Sequence, residues 1–512
     1  MSAAARPPEH RPPEPRDGED RDAAELGAFG YAQQLRRGIG TFSSFAVSFS
    51  LISVCTGVFA NFALGLRQVG PAVPWSWCIV LAGQLLVALV LAELASRMPL
   101  SGYGYQWSSR LVGPRFGFFV GWLLVLQFLA GFPGVCATLA SHAGAWQGGS
   151  WNDPRAVKAL TLAVIAAVAL LHLAGMRWAA LLNDLGVWTE LLGVAALAAL
   201  LIALAVARGA PADMLLASRN AASALPAAPG AWALSLLLGA WCLTGFEAAA
   251  DLAEETRNPR RVVPQAILAS LVASGAAGFA LLVGLVLAID DLPAVQAADN
   301  PLLAILADKL GPTGLAAALA VVGMSILACA LASMAAASRL LFALGRDNML
   351  PGAPWLAAVD ARHGTPRNAI LCVWAVSSTC VAALPQLDVI TQISAVAGYL
   401  GYAGILGAAL ASPPPPTHAG FRLGAARSWI GGAALAWVAG VVLALTIPPT
   451  PVAGIATQHL PALSTAAAVA VGIAVYALAI RPRLLQGTAG PPPRPIGDGA
   501  AAVGDLPGEE IA

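Results

Sequence analysis

Ser48–Phe62, with the sequence SFSLISVCTGVFANF, is an apolar stretch interrupted at its centre by serine, threonine and glycine. A second apolar stretch, Leu234–Ala250, carries a similar interruption, WCLTGFE, at residues 241–247. Both interruptions contain Thr-Gly followed within two residues by Phe, and they lie in corresponding halves of the chain. Broken membrane helices paired in this way are the best sequence indicator of a transporter's binding site. The sequence therefore predicts two helices, each broken at its Thr-Gly pair, around which the chain is built.

The composition indicates an all-α, polytopic membrane protein. Of the 512 residues, 58% are apolar and 11% are charged, whereas a soluble domain carries about 25% charged residues. Apolar segments of about 20 residues, the length at which a helix crosses the hydrocarbon of a bilayer, recur along the whole chain. The lipid bilayer is therefore an expected partner. The net charge of +1 gives no field that would attract nucleic acid.

Twelve membrane spans are predicted, and the stretches outside them divide the chain into three parts. Residues 1–30 and 486–512 are expected to be disordered tails, since they are rich in proline, glycine or charge and cannot bury enough apolar surface to fold. Residues 31–485 form the membrane domain. The predicted spans are 39–65, 73–97, 115–140, 156–175, 178–207, 230–253, 264–289, 313–344, 368–384, 390–411, 430–447 and 461–480.

The distribution of arginine predicts the orientation of these spans. If the N-terminus is cytoplasmic, the inner segments hold most of the arginines, among them Arg97, Arg257 and Arg346. The outer loop at residues 290–300 is acidic. Because loops rich in Lys and Arg stay in the cytoplasm, both termini are expected there, in a multi-pass protein of the cell membrane. The segment Glu254–Arg261, EETRNPRR, then follows span six on the inner side, either as a cytoplasmic gate element or as a solvated loop with local ion pairs.

Four segments resemble the amino acid-polyamine-organocation (APC) superfamily, most closely its branch of amino acid, GABA and choline permeases. They occur in the order of the family and at the expected ends of the predicted spans. The segments are CTGVF at 55–59, where the family often has GSGVF; AELASRMPLSG at 92–102; GFEA at 245–248 with EET at 254–256; and ASR at 337–339 with GRDNMLP at 345–351. The resemblance implies the inverted-repeat fold of sodium-coupled leucine transporters. Spans one to five would repeat as spans six to ten in the opposite orientation, with the last two spans packed outside.

The resemblance and the glycine positions together suggest a substrate site at the two breaks. A broken helix leaves backbone N–H and C=O groups without partners, which is costly in lipid unless something polar binds them. An amino acid could do so, with its carboxylate at the N-terminus of a half-helix and its ammonium on exposed carbonyls. We assign the carboxylate to the backbone of Thr56, Gly57 and Val58, and the amine to the carbonyls of Cys242, Leu243 and Thr244.

This hypothesis also includes Phe246, Cys55 and Gly245. Phe246 directly follows Gly245 at the second break, and the resemblance makes it a lid over bound substrate; the alternative is a Phe that faces the core or lipid. Cys55 stands where the family usually has glycine, so we expect it to narrow the site and to shift selectivity. A Cys55→Gly variant that transports the same substrates equally well would remove this expectation. Gly57 and Gly245 could instead be helix-packing glycines, which are common in membrane bundles.

Two carboxylates lie deep within predicted spans, Glu190 in span five and Glu247 after the break of span six. Ionisable residues at such depth are functional-site hypotheses by default. Asn183 lies two turns before Glu190 on the same helix face and could share its pathway, and Asp251 is four residues after Glu247. We assign these four residues to coupling or gating. The alternative for both glutamates is a structural hydrogen bond to a neighbouring helix.

These observations predict a secondary active transporter of amino acids or related small amines such as GABA, choline or polyamines. Proton symport through a carboxylate is favoured, and sodium symport or exchange remains open. Span five lacks the lysine that many proton-coupled relatives carry, and Ser325 and Ser333 could contribute to a sodium site. No nucleotide, nucleophile-elbow or metal-ligand motif occurs, so no cofactor, no metal and no enzymatic activity are predicted. The alternative outside transport is a permease-like nutrient sensor, which usually carries an extra signalling domain.

Overall fold

The computed structural model describes residues 18–146, 153–218, 227–383, 388–413, 420–446 and 460–493. The secondary-structure elements of these described residues are helices, and no β-strand is among them. The helices are α1 (Gly18–Gly27), α2 (Thr41–Ile52), α3 (Val54–Val69), α4 (Val73–Arg97), α5 (Tyr103–Leu111), α6 (Pro114–Trp146), α7 (Pro154–Leu173), α8 (Met176–Ala207), α9 (Pro229–Cys242), α10 (Ala248–Asp251), α11 (Pro259–Leu287), α12 (Leu292–Ala297), α13 (Pro301–Arg346), α14 (Ala353–Leu356), α15 (Arg367–Ala383), α16 (Asp388–Ala411), α17 (Arg427–Thr446), α18 (Leu460–Val475) and α19 (Arg481–Leu485).

The number of membrane crossings agrees with the prediction. Within the described ranges, nine helical stretches are long and apolar enough to cross a membrane. The first of them, Thr41–Arg97, turns at Gly70–Ala72 and therefore holds spans one and two. The shorter apolar helices α9 and α15 supply spans six and nine. Span eight begins within α13 at Pro312, because Gly311 has a positive φ of 65° and separates the two halves of that helix.

Helix contacts follow the expected inverted repeat. Spans two and seven, α4 and α11, pack against each other. Span three packs along span ten (α6 and α16), and span five packs along span eight (α8 and α13). The inverted repeat relates span three to span eight and span ten to span five, so these two contacts are equivalent. Spans eleven and twelve, α17 and α18, pack on the outside against α16. The fold is therefore the predicted two-fold arrangement of five helices with two peripheral helices.

Both predicted helix breaks exist, but one is displaced. Span six is interrupted between Cys242 and Ala248, and Gly245 has a φ of +93° there, as the sequence predicts. Span one is interrupted at Ser53 (φ 40°, ψ 86°) rather than at its Thr-Gly pair. Ser53 can hold this left-handed conformation because its hydroxyl bonds the Oγ1 of Thr56 at 2.5 Å and accepts the Thr56 N–H at 3.4 Å. The predicted position of the first break is therefore wrong by three residues.

The stretch expected to be an N-terminal disordered tail contains structure from residue 18 onward. Helix α1 docks against the segment that follows span six, where the Asp22 carboxylate accepts the Asn258 N–H at 2.9 Å and Glu25 pairs with Arg260 at 2.8 Å. Leu26 is buried. Residues 1–17 and 494–512 lie outside the described residues. We call the end of the bundle where residues 18–40, 253–261, 346–351 and 483–493 meet the terminal face.

Candidate functional site

A small cavity of about 70 Å³ lies between the two breaks. Three of the predicted substrate-binding residues line it: Thr56 from span one, and Thr244 and Gly245 from span six. Spans three, eight and ten supply most of the remaining wall, and the sequence alone does not align these spans with the breaks. The other lining residues are Leu51, Ile52, Gln127, Phe128, Gly131, Phe132, Val135, Trp241, Cys329, Ser333 and Ser394.

Gly57 and Cys242 form the contact between the two broken helices rather than the wall of the cavity. A Cβ atom added to Gly57 would lie 2.3 Å from the Cys242 Sγ and 2.4 Å from its Cβ. The Gly57 N–H donates to the Ser53 carbonyl at 3.1 Å. This contact agrees with the packing role that was the alternative for Gly57, since a side chain at this position would keep α3 and α9 from approaching so closely.

The other predicted binding residues also lie outside the cavity wall in this conformation. Val58 and Leu243 are fully buried in the core. Phe246 is buried too and stacks on Tyr402, with ring centroids 5.8 Å apart. The side chain of Cys55 is buried on the side of Glu190 and Ser325 and is not among the residues that line the cavity in this conformation.

Side chains that the sequence analysis did not select form hydrogen bonds with the backbone at the break of span six. Gln84 donates to the Leu243 carbonyl at 2.8 Å, and Tyr399 donates to the Ala240 carbonyl at 2.7 Å. Ser48 bridges the far side of the break, donating to the Phe246 carbonyl at 2.8 Å and accepting the Ala249 N–H at 2.9 Å. Gln84 could have been selected from the sequence, because a polar side chain in an apolar membrane span needs a hydrogen-bond partner.

Glu190 lies at the break of span one. Its Oε1 accepts the Cys55 N–H at 3.0 Å, and the Val54 N–H also points to the carboxylate. The Ser325 hydroxyl contacts Glu190 and lies 3.0 Å from the Ser53 hydroxyl. The carboxylate of span five therefore occupies the N-terminus of α3, where the helix dipole favours negative charge.

The remaining predicted coupling residues do not form a single cluster. Glu247 accepts hydrogen bonds from Tyr402 at 2.7 Å and from Tyr103 at 3.4 Å. Asp251 is fully buried beside the backbone of Gly102 and interacts electrostatically with Glu247, four residues before it. Asn183 is buried on the helix of Glu190, but no hydrogen bond between described residues joins the two side chains. The structure thus places Glu190 at the break of span one and the neighbouring acids Glu247 and Asp251 at the break of span six.

Comparison with known proteins settles the family of this chain. The sequence model described as "Amino acid permease" matches residues 39–475. The chain belongs to the amino acid permease family. The amino-acid permease BAT1 of Arabidopsis thaliana is 27% identical over 408 residues, which cover 74% of this chain and 79% of that protein. The BAT1 homolog of Oryza sativa subsp. japonica is 29% identical over 414 residues (74% and 78% covered), and the thiamine transporter thi9 of Schizosaccharomyces pombe is 25% identical over 429 residues (74% and 71% covered). These relatives are transporters and not enzymes.

The permease is closed at the terminal face by buried ion pairs. Arg339, at the end of span eight, pairs with Glu255 through two contacts of 2.7 and 3.2 Å. Arg346 makes two similar contacts with Glu254, of 2.8 and 2.9 Å. Both glutamates are at most 2% exposed, so the segment after span six is not a solvated loop with local ion pairs. Its two glutamates pair with arginines at the end of span eight.

The chain termini add a second layer to this closure of the permease. Tyr31 donates to the Asp347 carboxylate at 2.8 Å, and Tyr105 donates to the same carboxylate at 2.8 Å. The Gly490 N–H donates to the Asp347 carbonyl at 2.8 Å. Burial raises the pKa of the Asp347 carboxyl above its ordinary value. Segments from both ends of the chain therefore meet on one acidic residue at the end of span eight.

Proposed function

We propose that this permease is a proton-coupled symporter of small amines or amino acids in the cell membrane. It works by alternating access around the broken spans one and six, with the terminal face in the cytoplasm. The observation that carries the proposal is Glu190, a buried carboxyl that binds the N–H groups at the break of span one. Such a group can take a proton on one side of the membrane and release it on the other.

The geometry suggests how proton binding and helix movement are linked. An ionised carboxylate accepts strong hydrogen bonds from backbone N–H groups, and a neutral carboxyl accepts weaker ones. Protonation of Glu190 would therefore loosen its hold on Cys55 and α3, whereas loss of the proton would restore it. Because α3 packs on α9 at Gly57, movement of one broken helix acts on the other.

The proposed orientation and the assignment to the cell membrane rest on the distribution of arginine. The terminal face carries Arg257, Arg261, Arg346 and Arg483, and such residues are retained on the cytoplasmic side. In this orientation, the closed terminal face would shut the cytoplasmic path. Release of substrate into the cell would then require the Arg339–Glu255 and Arg346–Glu254 pairs to separate.

Sodium coupling is a second candidate that one observation favours. The hydroxyls of Ser53 and Ser325 lie 3.0 Å apart beside the Glu190 carboxylate, and oxygen ligands of this kind suit a hard cation. Ser333, by contrast, donates to the Cys329 carbonyl at 2.8 Å and lines the cavity. A sodium site would therefore use Ser53 and Ser325 rather than Ser333.

Uptake into proteoliposomes with an imposed proton or sodium gradient tests the proposal. The panel should contain amino acids, GABA, choline and polyamines, and also thiamine, because one relative is named a thiamine transporter. We expect accumulation driven by the proton gradient. Accumulation only with sodium would select the second candidate, and countertransport without any gradient dependence would indicate an exchanger. If no compound accumulates or exchanges, the transport proposal fails.

Glu190→Gln is expected to reduce proton-driven accumulation at least tenfold while counterflow of the same substrate continues. The amide keeps an oxygen for the Cys55 N–H but cannot carry a proton. Uptake and counterflow measured in the same vesicles separate loss of coupling from loss of the protein. Glu247→Gln serves as the matched variant, since it changes another fully buried glutamate near a break. Intact accumulation in Glu190→Gln with loss in Glu247→Gln would move the coupling role to Glu247.

A further inference from the structure

A third carboxylate, Asp184, lies in span five between Glu190 and the start of that span. The residue is half-buried, and its Oδ1 is shielded from solvent. Its Oδ2 accepts a hydrogen bond from the hydroxyl of Ser43 at 2.7 Å, and the side chain of Asn183 contacts the same carboxylate. Because Ser43 belongs to α2, Asp184 joins span five to the half of span one that lies next to the terminal face. We call this half, α2, the inner half of span one.

The bond of Asp184 is part of a continuous contact between the inner half of span one and span five. The ring of Phe42 stacks on that of Trp188, with centroids 5.0 Å apart. Ala46 and Phe49 form a buried apolar cluster with Val187. The break that follows α2 separates it from the rest of span one. Span five is therefore one of the surfaces that α2 must leave if the terminal face is to open.

The two carboxylates of span five contact the first turns of the two halves of span one. Glu190 accepts the Cys55 N–H in the first turn of α3, and Asp184 accepts the Ser43 hydroxyl in the first turn of α2. Gly40 provides no side-chain cap for α2, so the first N–H groups of this helix have no cap of their own. The positive end of a helix dipole favours an ionised carboxylate. An ionised Asp184 therefore stabilises the inner half of span one on span five.

Protonation of Asp184 would weaken this contact. A neutral carboxyl accepts weaker hydrogen bonds than a carboxylate, and it loses its charge interaction with the helix dipole. Asp184 lies six residues from Glu190 on α8, about 9 Å along the helix axis and closer to the terminal face. A proton that leaves Glu190 toward that face therefore finds a second acceptor, which contacts the other half of span one.

The charged groups around Asp184 leave it free of a fixed cation. Helix α2 carries no ionisable residue, and among the described residues the groups that act on the Asp184 carboxylate are Ser43 and Asn183. No ion pair has to separate when Asp184 takes a proton. The other ionisable residues on α8 and on the helices packed against it are Arg177 and Glu190 on α8, Arg155, Lys158 and His172 on α7, Arg260 and Arg261 on α11, and Asp308, Lys309, Arg339 and Arg346 on α13.

We propose that Asp184 is a second proton-binding residue of the transport cycle and that its charge controls the inner half of span one. The ionised carboxylate holds α2 on span five and helps to keep the terminal face closed. The protonated carboxyl lets α2 move away, and loss of the proton to the cytoplasm restores the closed state. The proposal for Asp184 rests on the proposed proton symport and adds a residue that acts on the inner path.

Asp184→Asn is the first test, because asparagine keeps the shape of the side chain but cannot ionise. We expect proton-driven accumulation in proteoliposomes to fall at least tenfold while counterflow of the same substrate continues. Counterflow by the unmodified protein, with equal pH on both sides, should become faster as the pH is lowered. In Asp184→Asn it should be fast and independent of pH. Full accumulation with an unchanged pH profile would overturn the proposal.

Amide hydrogen exchange of the purified protein tests the movement of α2 without transport. Exchange reports local opening of a helix. At one pH, we expect residues 41–52 to exchange at least tenfold faster in Asp184→Asn than in the unmodified protein, with no change in α17. If no compound accumulates on a proton gradient, the symport proposal fails, and faster exchange in this variant would still support control of α2 by Asp184. Unchanged exchange in the variant would contradict that control.

Two control variants separate proton binding from a structural hydrogen bond. Ser43→Ala removes the hydroxyl but keeps the carboxylate, so α2 should exchange faster while its dependence on pH, corrected for the intrinsic exchange rate, is retained. Asp213→Asn removes an exposed acid after span five and should change neither uptake nor exchange. A pH dependence that persists in Asp184→Asn, or that is lost equally in Ser43→Ala, would show that Asp184 acts only through its hydrogen bond.

Discussion

Arg339→Leu is expected to lower the free energy of unfolding by about 3–5 kcal/mol, the cost of leaving one partner of a buried ion pair alone. Arg339 is fully buried, and its guanidinium contacts Glu255 through Nε at 2.7 Å and Nη2 at 3.2 Å. Leucine would leave the Glu255 carboxylate in the core without its partner. The thermal midpoint of the detergent-purified protein, with its yield from the membrane, measures the effect.

The double variant Arg339→Leu/Glu255→Leu is the control for this prediction. Replacing both members of a buried pair by apolar residues is often neutral or stabilising, so we expect the double variant to recover much of the loss. The difference between the double variant and the sum of the single ones gives the coupling energy of the pair. A double variant as unstable as Arg339→Leu would show that the arginine acts through other contacts, such as the Ser338 hydroxyl at 3.0 Å.

Gly57→Ala is expected to be the most damaging change of a single methyl group near the breaks. The new Cβ would lie 2.3 Å from the Cys242 Sγ and 3.3 Å from the Cys242 Cα, so a backbone shift is needed as well as a side-chain movement. Overpacking of this kind costs about 1–3 kcal/mol. Because it separates α3 from α9, we also expect substrate uptake to fall at least tenfold. Thermal stability and proteoliposome uptake report the two effects.

Cys242→Gly in the Gly57→Ala background provides the rescue. It removes both atoms that the new methyl group meets first, and should restore a large part of stability and uptake. Gly432→Ala is the matched control, because a Cβ at that position of α17 meets nothing within 4 Å. If Gly432→Ala is as harmful as Gly57→Ala, or if Cys242→Gly fails to rescue, close helix packing is not the role of Gly57.

Hydropathy and the four motifs were sufficient for the fold and the family. The apolar segments predicted twelve spans, and even the start of span eight near residue 313 agrees with the bend at Gly311. These features are local, since a helix must bury about 20 consecutive apolar residues to cross a bilayer. The break of span six was equally visible, because Gly245 takes a backbone conformation that other residues rarely adopt.

The site required the tertiary structure, because its groups are paired across the chain. In the Thr-Gly pair of span one, Gly57 contacts Cys242 of span six, and the hydroxyl of Ser53 at the actual break lies 3.0 Å from the hydroxyl of Ser325, which is 272 residues away. A serine can hold a left-handed conformation only where neighbouring groups stabilise it. For the same reason, no local pattern could show that Glu190 binds the Cys55 N–H. Each helix is determined by its own residues, whereas the partner of each buried polar group is determined only when the spans pack.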